Sequence, residues 1–116
     1  MKDFTPEHDN LDHLREVWRV TAREHVRLED AASRLEEGRS IVLAEEILKI
    51  VEQGVSKAQA ELMARTGERF RHYIRTMHDA RRAANDAKIE RENADRLYWS
   101  RNNAEAQMRA EMRMTR

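Results

Sequence analysis

The sequence contains no cysteine, which excludes disulfide staples and thiolate metal centres alike. It has one proline and three glycines in 116 residues, too few for a protein built on structured loops or tight β-turns. Aromatic residues make up only 5% of the chain, so a thick globular core is not available to it. No apolar run approaches the roughly 20 residues of a membrane span. Net charge is also missing: 22 basic side chains balance 22 acidic ones.

What remains is a chain that is 38% charged and 40% hydrophobic. Abundant Ala, Glu, Leu and Arg with little Gly or Pro is the composition of long helices and coiled coils. The apolar residues are periodic rather than scattered, which argues for folded helices over disorder. Residues 61–116 form a stretch of 56 with a single glycine, Gly67, and no proline. Continuous, it would make a rod of roughly 84 Å at 1.5 Å per residue. A domain of this size has a radius of gyration of about 13 Å, so the stretch must project, pair, or fold back.

The spacing predicts a first helix that starts at Thr5-Pro6-Glu7, a cap, a first-turn proline and a favourable charge. Gly38, in Glu37-Gly38-Arg39-Ser40, is placed for a left-handed C-terminal cap. Between them Leu11, Leu14, Trp18, Thr21, His25, Leu28, Ala32 and Leu35 alternate spacings of three and four, an a/d seam. A second seam follows in Ile41, Ala44, Leu48, Val51, Val55, Ala58 and Leu62. A connection as short as Gly38 to Ser40 joins antiparallel neighbours. Ser56 with Gln59 matches a capping box, so a break at 54–56 is one reading and a continuous helix the other. Thr66-Gly67 is the next candidate hinge. Beyond it Phe70, Ile74 and Met77 give way to Ala80, Ala83, Ala84 and Ala87, small residues that let helices approach closely. Ala94, Leu97, Tyr98, Ala104, Met108 and Met112 continue the stripe. It is thin after Lys88, so this part should pack on another element, another copy or a foreign partner.

The expectation is an all-α fold, an antiparallel helical hairpin followed by a long C-terminal helix of coiled-coil type. Residues 1–5 form a cap segment, 6–65 the hairpin and 66–116 the helical arm.

Catalytic signatures are missing. There is no phosphate-binding glycine loop, nucleophile elbow, HExxH or calcium loop, and we read the chain as a non-enzyme with no cofactor and no metal. The i,i+4 pairs His8/Asp12 and Asp9/His13 have ligand chemistry, but no second motif completes a bundle site. His25 sits in the apolar seam, where a single polar residue sets register; the alternative is a pH-sensitive switch. Residues 1–60 carry 9 basic and 13 acidic side chains, and 61–116 carry 13 and 9. Arg outnumbers Lys by 18 to 4, a bias toward carboxylate and phosphate contacts.

Arg65, Arg69, Arg71, Arg75, Arg81 and Arg82, interleaved with His72, Tyr73 and His78, resemble a nucleic-acid footprint. Zero net charge argues against strong sequence-independent binding. Leu97-Tyr98-Trp99 point in three directions on a helix, so one packed face cannot bury all three. Aromatics and arginines anchor protein interfaces, which makes Arg71, Arg75, Arg82, Tyr98 and Trp99 the candidate partner-binding residues.

Ala80-Arg81-Arg82-Ala83-Ala84-Asn85, Arg101-Asn102-Asn103-Ala104 and Arg109-Ala110-Glu111-Met112-Arg113 resemble the tails of short helical proteins encoded by tailed phages and prophages. The resemblance covers roughly residues 54–113. It implies a small accessory protein or inhibitor acting on a host or phage machine, and no catalytic residues. Met1-Lys2-Asp3-Phe4 lacks the apolar segment of a secretion signal, so the expected location is the cytoplasm. The expected partners are a second copy, forming a homodimer, and a protein; the alternatives are a nucleic-acid-binding helper of recombination or replication, and a virion assembly component.

Overall fold

A computed structural model describes residues 10–115. They form three helices: α1 (Leu11–Val51), α2 (Lys57–Thr66) and α3 (Glu68–Met114). The all-α class is as expected, with a helical hairpin and a long C-terminal helix. The Thr5-Pro6-Glu7 helix start and the residues 1–5 cap segment lie outside the described residues. Within them Asn10 precedes α1 as its cap, its side-chain oxygen accepting the His13 N–H at 2.8 Å. That bond satisfies one of the orphan donors of the first turn.

The turn of the hairpin is not where the sequence suggested. α1 runs through Gly38 without a break, and the chain turns at residues 52–56. Gly54 is the one residue with positive φ among those described, at 93°, and its N–H closes on the Val51 carbonyl at 2.9 Å. Ser56 then caps α2, its side chain accepting from the Gln59 N–H at 3.4 Å. α2 stops at Gly67, which is extended rather than left-handed (φ −74°, ψ 155°). A methyl group there would lie 3.0 Å from the Met63 carbonyl oxygen.

The chain divides into two compact units. The first takes residues up to 26 and from 86 onward. Here the start of α1 and the end of α3 run antiparallel: Trp18 stacks on Tyr98, with ring centroids 5.8 Å apart and planes 8° apart. One to two turns further along α1, His25 Nδ1 accepts from the Arg91 guanidinium at 3.2 Å. His25 is thus a half-buried seam residue that meets a long, charged side chain. Ala94 is buried between these contacts and Ala87 one turn beyond the second.

The second unit takes residues 27–85. Its buried set is Ala32, Ala60, Ala64, Phe70, Met77 and Ala84. α2 returns along the end of α1, and the first half of α3 runs antiparallel to it. Gly38 has a packing role here. The Tyr73 hydroxyl donates to the Leu35 carbonyl at 2.6 Å, and a Cβ on Gly38 would lie 2.7 Å from that hydroxyl. A mid-helix glycine costs about 1 kcal/mol against alanine; at position 38 it admits the phenol to the helix backbone.

Ion pairs complete the second unit. Arg81 grips Glu36 with two parallel bonds of 2.8 and 2.7 Å and Glu29 with a third of 2.8 Å. The fork geometry of guanidinium suits this bidentate grip. It holds the Glu36 carboxyl below its usual range and raises Arg81 further above its own. Arg69 reaches Glu46 at 3.4 Å.

Candidate interaction surfaces

The seam from Leu11 to Leu35 is covered along its whole length: each of its eight residues is buried or half-buried. The second predicted seam is a correction. Ile41, Ala44, Leu48, Val51 and Leu62 are exposed, and it is Val42, Leu43, Ile47 and Ile50 that are half-covered. A helix can carry apolar residues on more of its circumference than one neighbour covers. Ala44, Ile47, Leu48, Val51 and Lys57 line a shallow apolar groove between α1 and α2.

In α3, Phe70, Met77, Ala84, Ala87 and Ala94 are buried as their spacing suggested. Ala104, Met108 and Met112 are exposed instead, since the 3.6-residue repeat carries them off the covered face. The thin C-terminal part of α3 finds cover in α1 as far as Tyr98.

The five partner-binding candidates fall in different settings. Tyr98 is half-buried. Trp18 lies on one side of it, the Arg15 guanidinium 5.9 Å from its ring centroid, and Trp99 edge-on at 5.1 Å and 73°. Offset-stacked and edge-to-face pairs are the favourable aromatic geometries, so Tyr98 is a packing residue of the first unit. Trp99 is 48% exposed and its neighbour Leu97 59%. Leu97 lines a shallow groove with Asn93, Arg96 and Ser100, where Arg96 donates to the Asn93 side chain.

Arg71, Arg75 and Arg82 belong to the second unit, all exposed on one face of α3. Arg75 donates to Glu68 at 2.6 Å and, with a smaller contribution from Arg71, holds the Glu68 carboxyl below its usual range. Of the six arginines in the basic segment, Arg69, Arg75 and Arg81 are therefore engaged with carboxylates. The tertiary pairing of Arg81 with Glu29 and Glu36 was not legible in the sequence, because partners 45 and 52 residues away leave no local pattern.

Among the described residues no cluster of three or more His, Asp or Glu side chains is arranged to hold a metal ion. His8 and Asp9 of the two i,i+4 pairs lie outside them. No described helix is long and apolar enough to cross a membrane. The fold and surfaces define a class: a helical protein with few of its described large apolar side chains buried and many of them exposed. In comparisons with known proteins, no family model, curated sequence or solved structure matches the chain.

Proposed function

We propose that this chain is a non-enzymatic helical interaction protein of the cytoplasm, a phage-derived accessory protein or inhibitor that forms a homodimer and holds a protein partner through the C-terminal part of α3. The observation that carries the reading is the state of Leu97-Tyr98-Trp99. Tyr98 is fixed between Trp18 and Arg15, and this leaves Leu97 and Trp99 presented to solvent on a rigid helix. Large aromatics held in place before binding lose little freedom on contact, which is how interface anchors work. In the second unit, Arg71, Arg75 and Arg82 add a basic row suited to the carboxylates of a protein. The engagement of Arg69, Arg75 and Arg81 with carboxylates favours a protein over nucleic acid as the ligand.

A photo-cross-linking amino acid at position 99, expressed in host cells, tests the reading. One protein should be captured from position 99 and not from the exposed position Arg19. Replacing Arg71, Arg75 and Arg82 together by alanine should weaken that capture without loss of helicity. Capture of nucleic acid at position 99, or of nothing beyond the control, would defeat the proposal. Labelled single-stranded and duplex DNA should show no binding at about 100 mM salt, where phosphate-driven affinity still registers.

A further inference from the structure

The exposed stripe Ile41, Ala44, Leu48 and Val51 lies on the outer face of α1 in the second unit. Its spacings of three, four and three are those of a coiled-coil seam. Ile41 and Leu48 are 61% and 60% exposed, and the groove beside them is lined by apolar side chains and the stem of Lys57. Nothing else in the unit covers it. Towards the start of α1 the same face turns charged at Glu37 and Arg34, so the stripe is short and closed at both ends.

The geometry points to a second copy of this chain as the occupant, packed antiparallel on this stripe with its two-fold at the level of Glu46. This names the surface for the homodimer of the reading above, on which it rests. In that register Ile41 faces Val51 of the second copy, and Ala44 faces Leu48. Each large side chain thus meets a small or medium one, twice over, as an isologous interface requires. The charges agree with the same register. Glu37 and Lys57 stand at opposite ends of the stripe, both exposed and in no ion pair among the described residues. The antiparallel two-fold brings Glu37 of each copy to the end of the stripe where Lys57 of the other opens α2. A parallel arrangement would instead stack Glu37 on Glu37 and Arg34 on Arg34, both repulsive. Of the other acids near the stripe, Glu45 is turned toward the groove lined by Arg69 and His72, and Glu52, next to Val51, is exposed at the Lys57 end.

Sedimentation velocity of the full chain tests the surface. The wild type should be dimeric at high concentration. Leu48→Glu should raise the dissociation constant by about tenfold or more, since it puts an unpaired carboxylate in the seam. Circular dichroism should show its helicity unchanged, because Leu48 is exposed within the monomer. Glu37→Lys and Lys57→Glu should each weaken the dimer, and the double swap should restore it. These two positions are exposed, so the swap remains informative if Leu48→Glu perturbs α1. A wild type that stays monomeric would overturn both the homodimer and this surface. A dimer indifferent to Leu48→Glu, or one not restored by the double swap, would overturn the surface or its register alone. Position 99 cross-linking should be unaffected by Leu48→Glu, so the partner reading stands or falls separately.

Discussion

At the scale of single residues, Gly38 and Tyr73 form the most closely fitted pair. The two are linked by sign as well as distance. Gly38→Ala should gain helix propensity of about 1 kcal/mol. It also places a methyl 2.7 Å from the Tyr73 hydroxyl, displacing a hydrogen bond worth about 0.5–1.5 kcal/mol. In the wild-type background the substitution should therefore be neutral or destabilising in urea unfolding. In a Tyr73→Phe background the same change should stabilise, because the nearest remaining ring atom is 3.9 Å away. An identical effect in both backgrounds would show that the two residues do not compete for space.

Glu36 makes a prediction with pH. Arg81 depresses its pKa below the ordinary 4.5. A carboxyl held low in the folded state lends stability that is present above the unfolded pKa and is lost as pH falls through the folded one. Stability should thus decline as pH drops below about 4.5, with Glu68 adding to the same limb through Arg75. Glu36→Gln should flatten part of that decline, and both groups are exposed, so salt should weaken it too. Equal acid limbs in wild type and variant would remove Arg81–Glu36 from the account.

At the scale of elements, the turn at 52–56 decides where the hairpin folds back. Gly54 holds a backbone geometry that costs an L-residue about 1–2 kcal/mol, and no side chain lies near enough to offset it. Gly54→Ala should lower the unfolding midpoint in urea, while Gly67→Ala acts by crowding the Met63 carbonyl rather than by φ. Much of this level was readable in advance. The Leu11–Leu35 seam follows from its period, and the break at Gly54 and Ser56 from capping chemistry. Gly38 misled because a glycine before a serine reads equally as a cap or as a gap for a neighbour, and only Tyr73, 35 positions on, tells them apart. Ile41–Leu62 misled differently: periodicity shows that a face is apolar, not that something covers it. Val42, Leu43, Ile47 and Ile50 make the adjacent face apolar as well. The candidate site divided for a similar reason. Adjacent residues Tyr98 and Trp99 look alike in the sequence, and it is Trp18, placed by tertiary pairing, that takes one and leaves the other.

At the scale of the molecule, the buried set is poor in large side chains. Among the described residues only Phe70 and Met77 accompany the alanines, and no large side chain is fully enclosed. Burial contributes about 0.8 kcal/mol per methylene, so an alanine seam supplies little per residue and favours close helix approach instead. Stability drawn from a second copy would depend on mass action. The melting temperature should rise with protein concentration, and Leu48→Glu should abolish the dependence. A melting temperature independent of concentration would mean that one copy supplies all of its own stability.

The placing of the aromatics has a spectroscopic consequence. Both tryptophans, Trp18 and Trp99, belong to the first unit, and the second holds Tyr73 as its sole phenol with Phe70 beside it. Indole emission therefore reports on one unit only. Tyr98 is the first unit's phenol, so a Tyr98→Phe variant leaves Tyr73, with its bond to the Leu35 carbonyl, as the tyrosine signal of the other. That one change gives the chain a pair of optical probes, one per unit, and a single thermal scan read in both signals would tell whether the two melt together or in turn.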